Sequence, residues 1–159
     1  QGGVSASFEW LVSLAASVGV RLAAEGFDVS LADTTGRTFS PHNVGGTHVA
    51  QAWVENLIDA SPAADGNISQ AVAHATRTPG GVIVALLGRL DAAAAAELVA
   101  SETRHQCLAL VVPPAANPLA AQQHSDGLRI LRANRWSVAV VGVGGNPADA
   151  WASLGRVHA

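Results

Sequence analysis

The 159-residue sequence predicts an α/β fold: a three-layer αβα sandwich in which helices cover both faces of a mostly parallel sheet. Three observations predict it. The second half of the chain reads strand–helix three times over. Its strands are continuous apolar runs, as expected of strands buried on both faces. The opening segment joins a long apolar helix to an alternating strand across Gly26. Strand–helix–strand units of this kind give parallel pairs with right-handed crossovers. Residues 1–159 read as a single domain, or as part of one.

The first helix is expected over residues 7–25. Ser7 is a plausible N-cap, and Gly26 a plausible stop. Glu9, Ser13, Ser17 and Arg21 stand four apart, so they fall on one narrow stripe of an otherwise apolar helix. Such a helix is expected to be buried on most sides, against a sheet and between neighbouring helices. Glu9 would lie in the first turn, where the helix dipole favours an anion. A solvated stripe therefore explains Glu9 better than a catalytic carboxylate, since neither a partner acid nor a His is near it in sequence.

"FDVSLAD" (27–33) alternates with period two and reads as a strand; "TTGR" is a turn, and "TFS" a short returning edge strand. "PHNVGG" is a loop. A helix is expected over 48–60 with Thr47 as cap, and a second near Ile68 to Arg77 with Asn67 as cap. "GGVIVALLG" is a buried strand bounded by glycines, and "LDAAAAAELVASE" a helix with Asp91 at its start. "CLALVVP" is the next buried strand. "AAQQHSDGLRILRANR" is a helix weakened by Gly127. "WSVAVVGV" is a further strand, and "NPADAWASLG" the last helix, with Asn146 as cap and Pro147 at its first position.

Composition excludes several function classes. Apolar residues make up 49% and charged residues 13%, a globular balance. The net charge is −3 and every basic residue is Arg, with no Arg stripe, so a nucleic-acid footprint is not present. The lone Cys107 lies in the apolar run "QCLALVV" and reads as a small buried hydrophobe. No apolar stretch is expected to reach the length that spans a bilayer, and the run 106–121 is interrupted by Pro113, Pro114 and Pro118. The chain opens on Gln1-Gly2-Gly3, which reads as a cut inside a longer protein.

Candidate sites are few, and no catalytic residue, metal site or cofactor is expected. "VVGVGGNP" (140–147) is a Gly-rich turn from strand into helix, where Gly142, Gly144 and Gly145 could present backbone N–H groups to a phosphate. Pro147 stands where the dinucleotide fingerprint needs its third glycine, and no P-loop lysine follows. Asp33, with Thr34 and Thr35, ends the first strand, at the carboxyl edge where open α/β sheets bind ligands; the plainer reading is a turn beside Gly36. His48, Glu55 and Asp59 share a helix face, but spacings of seven and four match no tight ligand pattern. His42, His74, His105, His124 and His158 are scattered through polar segments, and G-x-S-x-G is absent.

The segment "SFEWLVSLAASVGVRLAAEGFDVSLADTTG", with "GGVIVALLGRLD" and "NRWSVAVVGV", resembles the carboxyl-terminal part of actinobacterial members of the domain of unknown function 58 family. The shared pattern is a Phe/Tyr-Glu pair opening an Ala-rich helix, then a Gly and a strand ending in Asp or Thr; Glu9, Gly26 and Asp33 match it. The resemblance covers nearly the whole chain through soft motifs that carry no catalytic signature. It implies a von Willebrand factor A-like, Rossmann-like sheet ordered 3-2-1-4-5-6, with a short antiparallel third strand. "FDVSLAD" would be the second strand and "TFS" the third. The central first strand, which carries the metal-binding segment where a member has one, would precede "SFEW". The resemblance further implies a non-enzymatic interaction or assembly module on the cytoplasmic face of the membrane. It would be anchored by membrane helices outside this soluble chain, with a MoxR-type AAA+ ATPase as partner. The competing reading is a small-molecule or nucleotide-binding enzyme fragment working at the carboxyl edge of the sheet.

One expectation follows from the implied order. Four buried parallel strands are expected near 27–33, 81–87, 107–112 and 137–142, the first two flanking the absent central strand. An unfilled gap would leave backbone groups unpaired at about 1–3 kcal/mol each. Either 27–33 and 81–87 pair directly, or a strand from another chain inserts between them, as in a homo-oligomer or a docked partner.

Overall fold

The computed structural model describes residues 2–26, 30–34, 37–39, 51–52, 55, 57, 67–75, 81–88, 90–101, 105–114, 116–142 and 144–157. Helix α1 spans Gly2–Ala24, followed by strands β1 (Leu31–Ala32) and β2 (Thr38–Phe39). Helix α2 (Ile68–Ala75) precedes β3 (Val82–Leu87), α3 (Ala92–Ser101), β4 (Gln106–Val111), α4 (Pro118–Ala133), β5 (Ser137–Val140) and α5 (Pro147–Val157). Residues 51, 52, 55 and 57 are helical, as expected of the 48–60 segment, whose other residues lie outside the described ones, as does Arg77.

The second half folds as its alternation predicts. β3, β4 and β5 form a parallel sheet in that order, with Ile83 opposite Cys107 and Leu108 opposite Ser137. The ladder runs on past the strand ends, where Val112 N–H donates to Leu87 O and Val141 N–H to Val111 O, both at 2.9 Å. Side chains alternate between the two faces. Ile83, Cys107, Ala109, Val111 and Val138 pack with Val72 of α2, Ala95 and Leu98 of α3 and Leu131 of α4. Leu108, Leu110, Ala139 and Val141 pack with Leu14 of α1 and Ala150 of α5. β4 lies between both layers, and Ala109, Leu110 and Val111 are wholly buried. Fully burying one such aliphatic side chain contributes about 1.5–3 kcal/mol.

Helix ends follow local chemistry. Asn67 Oδ1 accepts from Gln70 N–H and Asn146 Oδ1 from Ala148 N–H, so these two expected caps form; Asp91, expected at its helix start, caps it through Oδ1 and Ala94 N–H, and Thr47 lies outside the described residues. α4 begins two residues before its expected start. Asn117 caps it, accepting from the N–H groups of Leu119 and Ala120, with Pro118 in its first turn. Pro118 thus starts a helix rather than only breaking an apolar run.

Three expectations need correction. Ser7 is not an N-cap: α1 runs from Gly2, and Glu9 sits a full turn and more inside it. The later turns carry the helix through Gly2 and Gly3, each costing about 1 kcal/mol relative to alanine. The dipole account of Glu9 falls with this, since the effect is confined to the first turn. The expected stripe itself is present: Glu9, Ser13, Ser17 and Arg21 are all exposed, and Arg21 Nε meets Glu25 Oε1 at 3.0 Å.

The second correction concerns length. α1 contains a stretch, Ala6–Ala24, that is long and apolar enough to cross a membrane by length and composition. The polar stripe adds only two charges to it, Glu9 and Arg21. Core helices of soluble proteins pass the same test, and Leu14 and Ala15 are core residues here. Burial on most sides is nonetheless not reached, since Trp10, Leu11, Val12, Ala16, Val18 and Val20 are half-buried.

The third correction concerns the 27–33 strand. The described residues do not join β1 to the parallel sheet. β1 pairs antiparallel with β2, Leu31 opposite Phe39 and Ala32 opposite Thr38, in a separate two-stranded sheet. The expected returning strand is therefore there, while direct pairing of β1 with β3 is not formed by the described residues. Residues 27–29 lie outside them. The period-two pattern of "FDVSLAD" already described a half-buried strand, and Leu31 and Ala32 are half-buried.

Candidate functional site

The β1–β2 hairpin fixes Asp33. Its N–H donates to Arg37 O at 3.1 Å, and its Oδ1 accepts from Arg37 N–H at 3.0 Å. The carboxylate closes the turn through a backbone bond, which is the ordinary work of Asp at a hairpin end. Thr34 O accepts from Asn67 N–H at 2.8 Å, tying the hairpin to the start of α2. Thr35 lies outside the described residues.

The glycine turn sits elsewhere. Gly142, Gly144 and Gly145 follow β5 and lead into α5. Gly144 has φ +83, a left-handed conformation that suits glycine, and Gly145 N–H donates to Gly142 O at 3.0 Å. The N-terminus of α5 is already served by the Asn146 side chain. Trp10 Nε1 of α1 donates to Gly145 O at 3.3 Å, so the first helix braces this turn from the sheet's carboxyl edge. Leu11 packs closely at the end of β3, two strands away: a Cβ on Gly88 would stand 2.9 Å from its Cδ1.

These two groups of candidates do not converge. Leu31 and Phe39 of the hairpin pack in one cluster with Ala15, Leu57 and Leu86 of β3. The glycine turn follows β5, at the other side of the three-stranded sheet. Two strand spacings, about 10 Å, separate β3 from β5. Asp33 closes the antiparallel β1–β2 pair, which the described residues do not join to the parallel sheet.

Of the other residues singled out in the sequence, Glu55 is exposed and accepts from Gln51 Nε2 at 2.9 Å, while His48 and Asp59 lie outside the described residues. No group of three or more His, Cys, Asp or Glu side chains placed to hold a metal occurs among the described residues. Cys107 is buried, and its Sγ donates to His105 O at 3.4 Å, in keeping with a packed thiol.

His124 is the residue that sequence reasoning misplaced. It is buried in α4 rather than part of a polar segment. The signal was there in the helical spacing: His124, Gly127 and Leu131 are three and four apart, and all three face inward. Burial pushes its imidazole below the ordinary value near 6.5, and the positive charge of Arg132 adds to the shift.

Among the described residues β3 is an edge strand. No described strand pairs with its outer side, and its end residue Val82 is 50% exposed. The strand "VIVALL" carries no charge and no proline. Such an edge offers unpaired backbone groups to another strand. The half-buried apolar residues of α1 lie over the same strand, with Val84 and Leu86 packed beneath them.

Comparison of the chain with protein-family models, curated proteins and solved structures finds no match.

Proposed function

We propose that this chain is a non-enzymatic protein-interaction module that takes up a strand of its partner along the outer edge of β3. The observation that carries the reading is that edge: six uncharged residues with no described strand on their outer side, Val82 half-exposed, and a half-buried apolar helix above it. An added strand would pair the free backbone groups and cover apolar surface of α1 in one step. The resemblance to the domain of unknown function 58 family supports the same reading. Its implied order would put β2–β1 on one side of a central strand and β3–β4–β5, which form one parallel sheet, on the other. On this reading the chain is a von Willebrand factor A-like domain of a membrane-anchored protein, facing the cytoplasm and working with a MoxR-type AAA+ ATPase.

The small-molecule reading draws less support, because Asp33 and the Gly142–Gly145 turn serve different sheets. The test is calorimetric titration with a MoxR-type AAA+ ATPase, repeated with Val82→Lys, since an edge lysine is a common guard against strand addition. Binding by the parent chain, weakened at least about tenfold by the variant, is the expected result, a loss of about 1.4 kcal/mol. Equal binding by both would place the contact elsewhere. A parallel thermal shift with ATP, NAD and divalent metals should stay within about 1–2 °C. A ligand at a hundred times its dissociation constant would stabilise the fold by about 2.7 kcal/mol, which is several degrees in a domain of this size. A clear shift with a nucleotide would favour the enzyme-fragment reading.

A further inference from the structure

We draw no further inference here: the strongest candidate, the open apolar edge of β3 beneath α1, belongs to the site already described, and nothing in the structure shows which strand covers it.

Discussion

Arg135 holds a backbone conformation that its side chain disfavours, and the reason lies in the helix it follows. Trp136 N–H donates to Leu131 O at 3.1 Å and Arg135 N–H to Arg132 O at 3.3 Å, the paired bonds that close a helix through a left-handed residue. Arg135 is that residue, with φ 68. Leu131 and Trp136 meet in the core on either side of it, so the closure also brings the chain into β5. Left-handed backbone costs a residue with a Cβ about 1–2 kcal/mol. Arg135→Gly removes that cost and loses only an exposed side chain, offset in part by the greater freedom of glycine in the unfolded chain. A gain of about 0.5–1 kcal/mol in urea unfolding is expected; a loss would show that the Arg135 side chain makes a favourable contact. His124 offers a second test at this scale. Its folded pKa lies below its unfolded one, so the unfolded chain binds more protons as pH falls through about 6.5. The stability tied to neutral His124 is therefore complete above that pH and lost progressively below it. The urea midpoint should fall between pH 7.5 and 5.5, and His124→Leu should flatten the dependence. An equally steep slope in the variant would assign the loss to other groups.

At the scale of elements, polar caps were more legible than the long helix they do not cap. Asn67, Asp91 and Asn146 were readable because a short polar side chain bonds its own helix, a contact that needs no tertiary context. The start of α1 was not, because no cap marks Gly2, and helix propagation carried it past Ser7. Gly127 shows the opposite error. In sequence it is a weak point of α4; in the fold it is where α4 meets the start of α3. A Cβ there would stand 2.6 Å from Leu90 Cγ and 3.0 Å from Asp91 O. The backbone oxygen cannot swing aside as a side-chain tip can. Gly127→Ala would gain about 1 kcal/mol of helix propensity, yet overpacking at a site this tight costs about 1–3 kcal/mol. Net destabilisation is expected, measured as a lower melting temperature. A more stable variant would mean that the α3–α4 contact yields.

At the scale of the whole molecule, the two sheets are held with unequal strength. β4 is flanked by strands on both sides and by helices on both faces, and Leu110 is wholly buried. The β1–β2 hairpin has two residue pairs, half-buried apolar side chains and its tie to α2 through Thr34. This is why the parallel half was readable in sequence and the hairpin's place was not: runs buried on both faces declare themselves, whereas a half-buried strand fits many positions. It is also why the place of Asp33 was not legible, since β1 joins β2 and no strand of the parallel sheet among the described residues. Unequal packing has a measurable consequence, because regions with few buried contacts open without global unfolding. Amide exchange in β4 should require the full unfolding free energy, whereas Leu31 and Phe39 should exchange through a smaller opening. Substitutions should sort the same way. Leu110→Ala is expected to cost about 3–5 kcal/mol, the range for a large buried aliphatic left as a cavity. Leu31→Ala should cost less than half of that, because part of the deleted surface already meets water. If Leu31→Ala cost as much as Leu110→Ala, or if the β1 amides were as protected as those of β4, the hairpin would be an integral part of the main core. A closed contact between β1 and β3 would then have to replace the open edge.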